Sequence, residues 1–235
     1  MPLSSSRDEL RLLQSHDLFG QLGTTELEKI VSFARVETFA ARETIFHKGS
    51  PGRGLMAVLE GRVQIQAPSA DGRTAVLNVM EPGEIFGEIA LLDGRDRSAD
   101  AVAMTACRLL VVDRREFIPF LRQNADVALR LMAILCGRIR QTTEQVEDLL
   151  FLNLHTRLAK KLLSLAAEIE DTAADGRRMT PALSQRELAA MVGFTRESVN
   201  KQLSQWQRDG VIEARGGRIA LLDEDRLGDF AEGST

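Results

Sequence analysis

The 235-residue sequence predicts an α+β chain in three parts: an antiparallel β domain over residues 1–125, one long helix over 126–152, and a small helical domain with a β-hairpin over 153–235. Three observations predict this. From residue 36 to 112 short runs alternate near period two, as in Val58-Leu59-Glu60-Gly61-Arg62-Val63-Gln64-Ile65-Gln66, with Gly49, Gly52, Gly54, Gly61, Gly72, Gly83, Gly87 and Gly94 between them. Evenly spaced short strands with glycine turns read as an antiparallel sandwich or barrel. The period then changes: Ala128, Met132, Leu135, Ile139, Thr142, Val146 and Leu149 recur at alternating steps of four and three, a heptad seam. Past Pro181, a helix, a glycine turn, a second helix and a hairpin follow in close succession.

In chain order, residues 7–33 read as helical stretches broken at Gly20 and Gly23, with a helix start at Thr24-Thr25-Glu26-Leu27 and Ile30, Val31 and Phe33 on its apolar side. Within the β region, the run Gly87-Glu88-Ile89-Ala90-Leu91-Leu92-Asp93-Gly94-Arg95-Asp96-Arg97-Ser98-Ala99 carries the most chemistry. Gly83 and Gly87 allow close approach of the backbone or a positive φ. Residues 88–92 are long enough for one short helical turn whose first amides, around Gly87, Glu88, Ile89 and Ala90, point at an anion. Arg97 supplies a fork for a phosphate, and Ser98 a hydroxyl donor. Glu88, ionised, suits a ribose hydroxyl instead. Cys107 lies in the apolar run Ala106-Cys107-Arg108-Leu109-Leu110-Val111-Val112 and reads as core.

The heptad seam of the long helix, flanked by Arg138, Arg140, Glu144 and Glu147, favours a parallel dimer, while Leu131 and Ile134 form a second edge for packing on the β domain. Thr142 is a polar interruption of that seam, which either sets register or meets a ligand. Cys136 flanks the seam, open either to packing or to a redox role across a dimer.

After a helix over 153–169 and a polar loop over 170–179, Ser184-Gln185-Arg186-Glu187 is a capping box opening a helix with Leu188, Met191 and Val192 inward. Ala189 is small where helices approach, Gly193 makes the turn, and Thr195 caps a second helix over 196–209 that packs through Val199 and Leu203. Residues 211–213 and 218–222 flank Gly216-Gly217 as a wing, and Trp206 reads as core. This is the pattern of a winged helix-turn-helix. Arg196, Glu197, Asn200 and Lys201 sit in the N-terminal half of the second helix, where side chains reach base edges: Arg suits guanine O6 and N7, Glu accepts from cytosine N4. Ser198, Gln202 and Arg186, with the cap residue Thr195, suit the phosphate backbone.

Composition narrows the function classes. The net charge of −4 does not itself favour nucleic acid, but residues 181–218 hold six basic side chains against four acidic, a net +2. No apolar run reaches the roughly 18 residues of a membrane span and no signal-peptide pattern opens the chain, so a cytoplasmic protein is expected. Two cysteines supply neither a disulfide framework nor a four-cysteine iron–sulfur site. His16, His47 and His155 share no ligand spacing, so no metal site is expected. No metal cluster, nucleophile elbow or P-loop points to an enzyme, and no catalytic residue is assigned.

The run over 87–99 resembles the phosphate-binding cassette of cyclic-nucleotide-binding domains, and the order of parts resembles the CRP/FNR superfamily of bacterial transcription regulators over about residues 15–222. The resemblance implies a jelly-roll-like β-roll, a ribose 2′-hydroxyl on Glu88, and a cyclic phosphate on Arg97 and Ser98. It also implies a nucleotide base contacted by the polar pair Thr142 and Thr143, one from each subunit of a homodimer. The implied effector is cAMP, with cGMP possible; the implied partners are double-stranded DNA and RNA polymerase. One branch of the family carries Arg, Glu and a second Arg on the reading helix, and the FNR branch carries Glu with Ser-Arg. Here Asn200-Lys201 stands instead, so a TGTGA-like half-site is expected with one base pair open. A family member active without nucleotide, or responding to redox state, is the alternative.

Overall fold

The computed structural model describes residues 18–20, 22–69, 74–167 and 177–233. His16, Gly72, the helical stretches expected before residue 18 and most of the loop expected over 170–179 lie outside the described residues. The chain divides into two compact units, with the division between Ile139 and Arg140.

In the first unit a helix, α1 (Thr24–Phe33), leads into eight strands: β1 (Ala34–Phe39), β2 (Thr44–Phe46), β3 (Gly54–Glu60), β4 (Val63–Pro68), β5 (Thr74–Met80), β6 (Ile85–Phe86), β7 (Asp100–Ala103) and β8 (Cys107–Asp113). They form two four-stranded antiparallel sheets, ordered β1-β8-β3-β6 and β2-β7-β4-β5. The α1 helix starts at Thr24 as expected, but Gly23, with extended backbone and no side-chain cap, is its N-cap. β3 is buried along nearly its whole length because it has two apolar neighbours. Leu55, Ala57 and Leu59 join the helices in one core, while Met56 and Val58 join Val63, Met80, Ala101 and Cys107 in a second core. The period-two pattern and the continuous burial thus belong to one strand that has a covered layer on either side.

Between β6 and β7 lies the short helix α2 (Glu88–Asp93). After β8 comes a helix that the sequence reading omits, α3 (Arg114–Gln123), with Pro119 inside it. Pro119 has no N–H for the carbonyl of Arg115, which weakens a helical reading. Burial of Phe117, Phe120 and Leu121, spaced along one face, holds the helix in place, with Phe117 and Phe120 stacked at 6.1 Å.

The long helix, α4 (Ala125–Phe151), runs for 27 residues. Val127 and Leu131 are buried in the first core, and Ala128 and Ile134 pack against it. This corrects the seam. Ala128 and Leu135, expected on the open edge, are half-buried, whereas Leu129, Met132, Cys136, Ile139, Val146 and Leu150 are exposed. The expected seam residues Met132, Ile139, Val146 and Leu149 are thus open, and only the Ala128 and Leu135 positions give way to Leu129 and Cys136, since the first core, which includes residues of α1 and α3, takes the Ala128 edge.

In the second unit, the chain breaks after Phe151 at Leu152-Asn153 and resumes as α5 (Leu154–Ala167). Asn153 Oδ1 accepts from the Thr156 amide at 3.0 Å, and Lys160 Nζ pairs with Asp148 at 2.6 Å across the break. Then come α6 (Gln185–Val192), α7 (Arg196–Arg208), the hairpin β9 (Ile212–Arg215) and β10 (Arg218–Leu221), and α8 (Glu224–Ala231). Their core gathers Leu158, Leu162, Leu188, Val199, Leu203, Ile212 and Leu227 around Trp206. Trp206 stacks on Phe230, and His155 lies edge-on to both rings, a packing role for that histidine.

Candidate nucleotide and nucleic-acid sites

The cassette is built from a turn that only glycine suits. Gly87 caps α2 with φ +79°, and a Cβ there would also collide with Arg97 Nη1. The collision arises because Arg97 is folded under the turn and buried. Its Nη1 donates to the Gly87 carbonyl and its Nη2 to the Gly54 carbonyl, each at 2.9 Å, and its guanidinium lies 4.1 Å from the centre of the Phe46 ring. Burial lowers the Arg97 pKa from its usual value, and the Glu88 carboxylate opposes that shift. The side chain stays a cation, since arginine holds its proton far above neutral pH. Each terminal nitrogen has a second N–H beyond the one used on a carbonyl, so the fork can still serve an anion. Ser98 is exposed next to it; Ile89 is exposed and Ala90 buried on α2.

Glu88 is buried at the start of α2, and its Oε1 lies 2.6 Å from Arg138 Nη1. Arg138 also donates to the Ile85 carbonyl and reaches Met80 Sδ at 3.4 Å. The sequence reading placed Arg138 among the outward flanks of the seam; the structure turns it back onto the cassette instead. The missed signal is its position four residues after Ile134, on the edge that packs on the first core, which places both on one helix face. A carboxyl group held by a guanidinium is orientated, with a second oxygen left to accept from a hydroxyl. Thr142 and Thr143 are exposed on α4 in the second unit.

In the second unit the capping box forms in full: Ser184 Oγ accepts from the Glu187 amide, and Glu187 Oε2 accepts from the Ser184 amide at 2.7 Å. Gly193 ends α6 at φ +71°, and a Cβ there would lie 2.7 Å from Arg157 Nη2. Arg157 is buried against this turn, donating to the Val192 carbonyl with its guanidinium 4.7 Å from the Phe194 ring centre. Burial lowers its pKa, against the effect of Asp148. Thr195 Oγ1 accepts from the Ser198 amide and meets Ser198 Oγ at 2.8 Å, so both hydroxyls serve the cap of α7.

With Val199, Leu203 and Trp206 inward, α7 shows Arg196, Glu197, Asn200 and Lys201 to solvent. Arg186 is exposed on α6; Ser198 and Gln202 are half-buried. The exposed side of α7 is therefore a row of charged and amide groups on a helix, and a major groove admits an α-helix.

Residues 36–124 match the family model of the cyclic nucleotide-binding domain, and residues 156–230 match that of the Crp-like helix-turn-helix domain. The CRP-like cAMP-activated global transcriptional regulator of Mycobacterium tuberculosis is 32% identical over 189 residues, covering 80% of this chain and 84% of that protein. The cAMP-activated global transcriptional regulator CRP of Escherichia coli is 29% identical over 197 residues, covering 83% and 93%. Among solved structures, the c-di-GMP responsive global regulator CLP of Xanthomonas campestris is similar with a TM-score of 0.76 and 26% identity, covering 85% of this chain and 99% of that one. These relatives are transcription regulators, not enzymes. Among the described residues no helix is long and apolar enough to cross a membrane.

Proposed function

The chain belongs to the CRP/FNR family of transcription regulators, which join a cyclic-nucleotide-binding domain to a helix-turn-helix, and from that premise we propose a cAMP-responsive, sequence-specific regulator acting as a homodimer. The observation that carries the effector reading is that a buried cation, Arg97, and a buried carboxyl group orientated by Arg138, Glu88, both sit at one glycine turn. A cyclic nucleotide has complementary chemistry: an anionic phosphate for Arg97 and Ser98, and a ribose hydroxyl for Glu88. Amides around Gly87, Glu88, Ile89 and Ala90 border the same phosphate, and Thr142 with a mate's Thr143 meets the base. The cAMP-activated relatives favour cAMP over cGMP. The likeness to a c-di-GMP responsive regulator makes that dinucleotide the comparison ligand.

The exposed stripe on α4, with Leu129, Met132, Ile139 and Val146, supports a parallel pair of central helices over about 126–152. Two copies of α7 then face half-sites about one DNA turn apart. Arg196, Glu197, Asn200 and Lys201 read bases of a TGTGA-like half-site, and Arg186, Thr195, Ser198 and Gln202 hold phosphates. Such a regulator acts in the cytoplasm, with RNA polymerase as its further partner. Titration calorimetry with cAMP, cGMP and cyclic di-GMP, followed by DNA binding to a TGTGA palindrome with and without each ligand, tests the proposal. Tightest binding of cAMP, with DNA affinity raised by it, is the expected result. DNA affinity indifferent to every nucleotide would favour a regulator active without ligand.

A further inference from the structure

Gln185, the first residue of α6, donates from Nε2 to Asn200 Oδ1 on α7 at 2.9 Å. The two residues are fifteen apart in sequence and belong to different helices, so only the tertiary fold brings them together. Asn200 lies on the exposed face of α7, four residues beyond Arg196 and three beyond Glu197. Among the described residues no other hydrogen bond engages its side-chain amide. The capping box on either side of Gln185 holds its backbone in place.

We propose that Gln185 is a positioning residue that fixes the amide of Asn200 so that its NH2 group is the end offered to DNA. An asparagine with nothing holding it offers an acceptor and two donors, and can bind adenine through N6 and N7 together. With its oxygen held towards Gln185, Asn200 turns its NH2 group to the opposite side and keeps one oxygen lone pair beside Gln185, away from the base edge. That group selects a base-edge acceptor, guanine O6 or N7, thymine O4 or adenine N7, and rejects the N4 amine of cytosine. Glu197, one turn earlier, is acceptor-only, so the helix offers an acceptor and a donor in sequence. The Gln185–Asn200 bond is exposed to water in the free protein, where such a bond contributes little. It strengthens when DNA excludes water from the face, so its effect falls on the bound state. The inference rests on the DNA-reading role proposed above.

The test is selection of full-length protein, with cAMP, from a duplex library randomised across the half-site. The parent, Asn200→Ala, Gln185→Met and Gln185→Glu are compared. Asn200→Ala should flatten one position by about fivefold or more, the lower range for a base contact. Gln185→Met keeps the length but not the donor, and should broaden that same position. Gln185→Glu can only accept, so Asn200 must turn its NH2 inward and offer its oxygen. Preference at that position should then shift towards cytosine and adenine, whose amines donate. Glutamate suits the first turn of a helix, so this variant should fold, and circular dichroism checks that it does. A purely structural role for Gln185 would not move one base column alone. If Asn200→Ala alters a column that both Gln185 variants leave unchanged, or alters none, the inference is overturned while DNA reading stands. A parent that enriches no sequence overturns both.

Discussion

Removing Arg138 from its ion pair with Glu88 should cost more than replacing both partners. The two side chains are 4% and 20% exposed and their charged atoms lie 2.6 Å apart. Near a protein surface a pair about 4 Å apart attracts by about 4 kcal/mol, and removing each ion from water opposes that by several kcal/mol. The net value of the pair is therefore small, but a partner left alone in the buried site is costly, about 3–5 kcal/mol when no water reaches it. Arg138 keeps some contact with water, so the figure for Arg138→Met is discounted to about 2–3 kcal/mol. At about 2–4 °C per kcal/mol, the melting transition of the first unit should fall by about 5–10 °C. Glu88→Gln should cost less, about 1 kcal/mol, because Arg138 retains the Ile85 carbonyl and a route to solvent. The double variant should then be more stable than the two single effects predict, by about 1–2 kcal/mol. Urea and thermal unfolding followed by circular dichroism on the four proteins measure this cycle. A coupling under about 0.5 kcal/mol would refute the claim that the two charges depend on each other.

Arg97→Ala should weaken cAMP binding by about 1.5–3 kcal/mol in calorimetry, the scale of hydrogen bonds to a charged group; equal affinity would remove it from the phosphate site. Arg196→Ala should cost about 1–3 kcal/mol on the selected DNA site and relax one base pair, whereas Arg186→Ala should weaken all sequences alike and flatten the salt dependence. Equal loss on specific and random DNA would show that Arg196 reads no base. Thr142→Val, nearly equal in volume, should lower cAMP affinity and its coupling to DNA while the dimer sediments unchanged; unaltered affinity and coupling would assign Thr142 to register instead. Cys136 is exposed between Met132 and Ile139 on the open stripe, and Cys107 is buried. A mild oxidant should therefore link Cys136 of two subunits, seen as a dimer on a non-reducing gel and lost in Cys136→Ser. Failure to link would argue against a parallel pair in that register.

What could be read from the sequence was local. Gly87 and Gly193 mark left-handed turns, Ser184 and Glu187 cap each other across three residues, and the glycine-punctuated runs of the β domain follow the pleat. Each of these depends on neighbours in the chain. The features that escaped depend on distant ones. α3 was hidden by Pro119, whose local cost is outweighed by burial of Phe117 and Phe120. At Ala128 and Leu135 the expected stripe of α4 is half-buried, because the heptad pattern says which residues are apolar, not which edge the first core takes. Arg138 read as a surface charge because its partner, Glu88, is fifty residues earlier. Gln185 looked like one letter of a capping box until α7 was laid beside it.

The break at Leu152-Asn153 has a mechanical side. Around it the chain is pinned on both flanks: Asp148 to Lys160 across the break, Asn153 to Thr156 at the start of α5, and Arg157 to the turn between α6 and α7. The segment beyond the break is therefore held as one arm. α5 has 14 residues, about 21 Å at 1.5 Å each. A rotation of about 10° at the break carries the far end of such an arm about 3.7 Å, close to the 3.4 Å step between base pairs. A change of about 10° in the angle set by two residues would thus equal about one base-pair step at the far end of the arm. In the proposed dimer, the braces at Leu152-Asn153 thus bear directly on whether two such arms match the spacing of a palindrome.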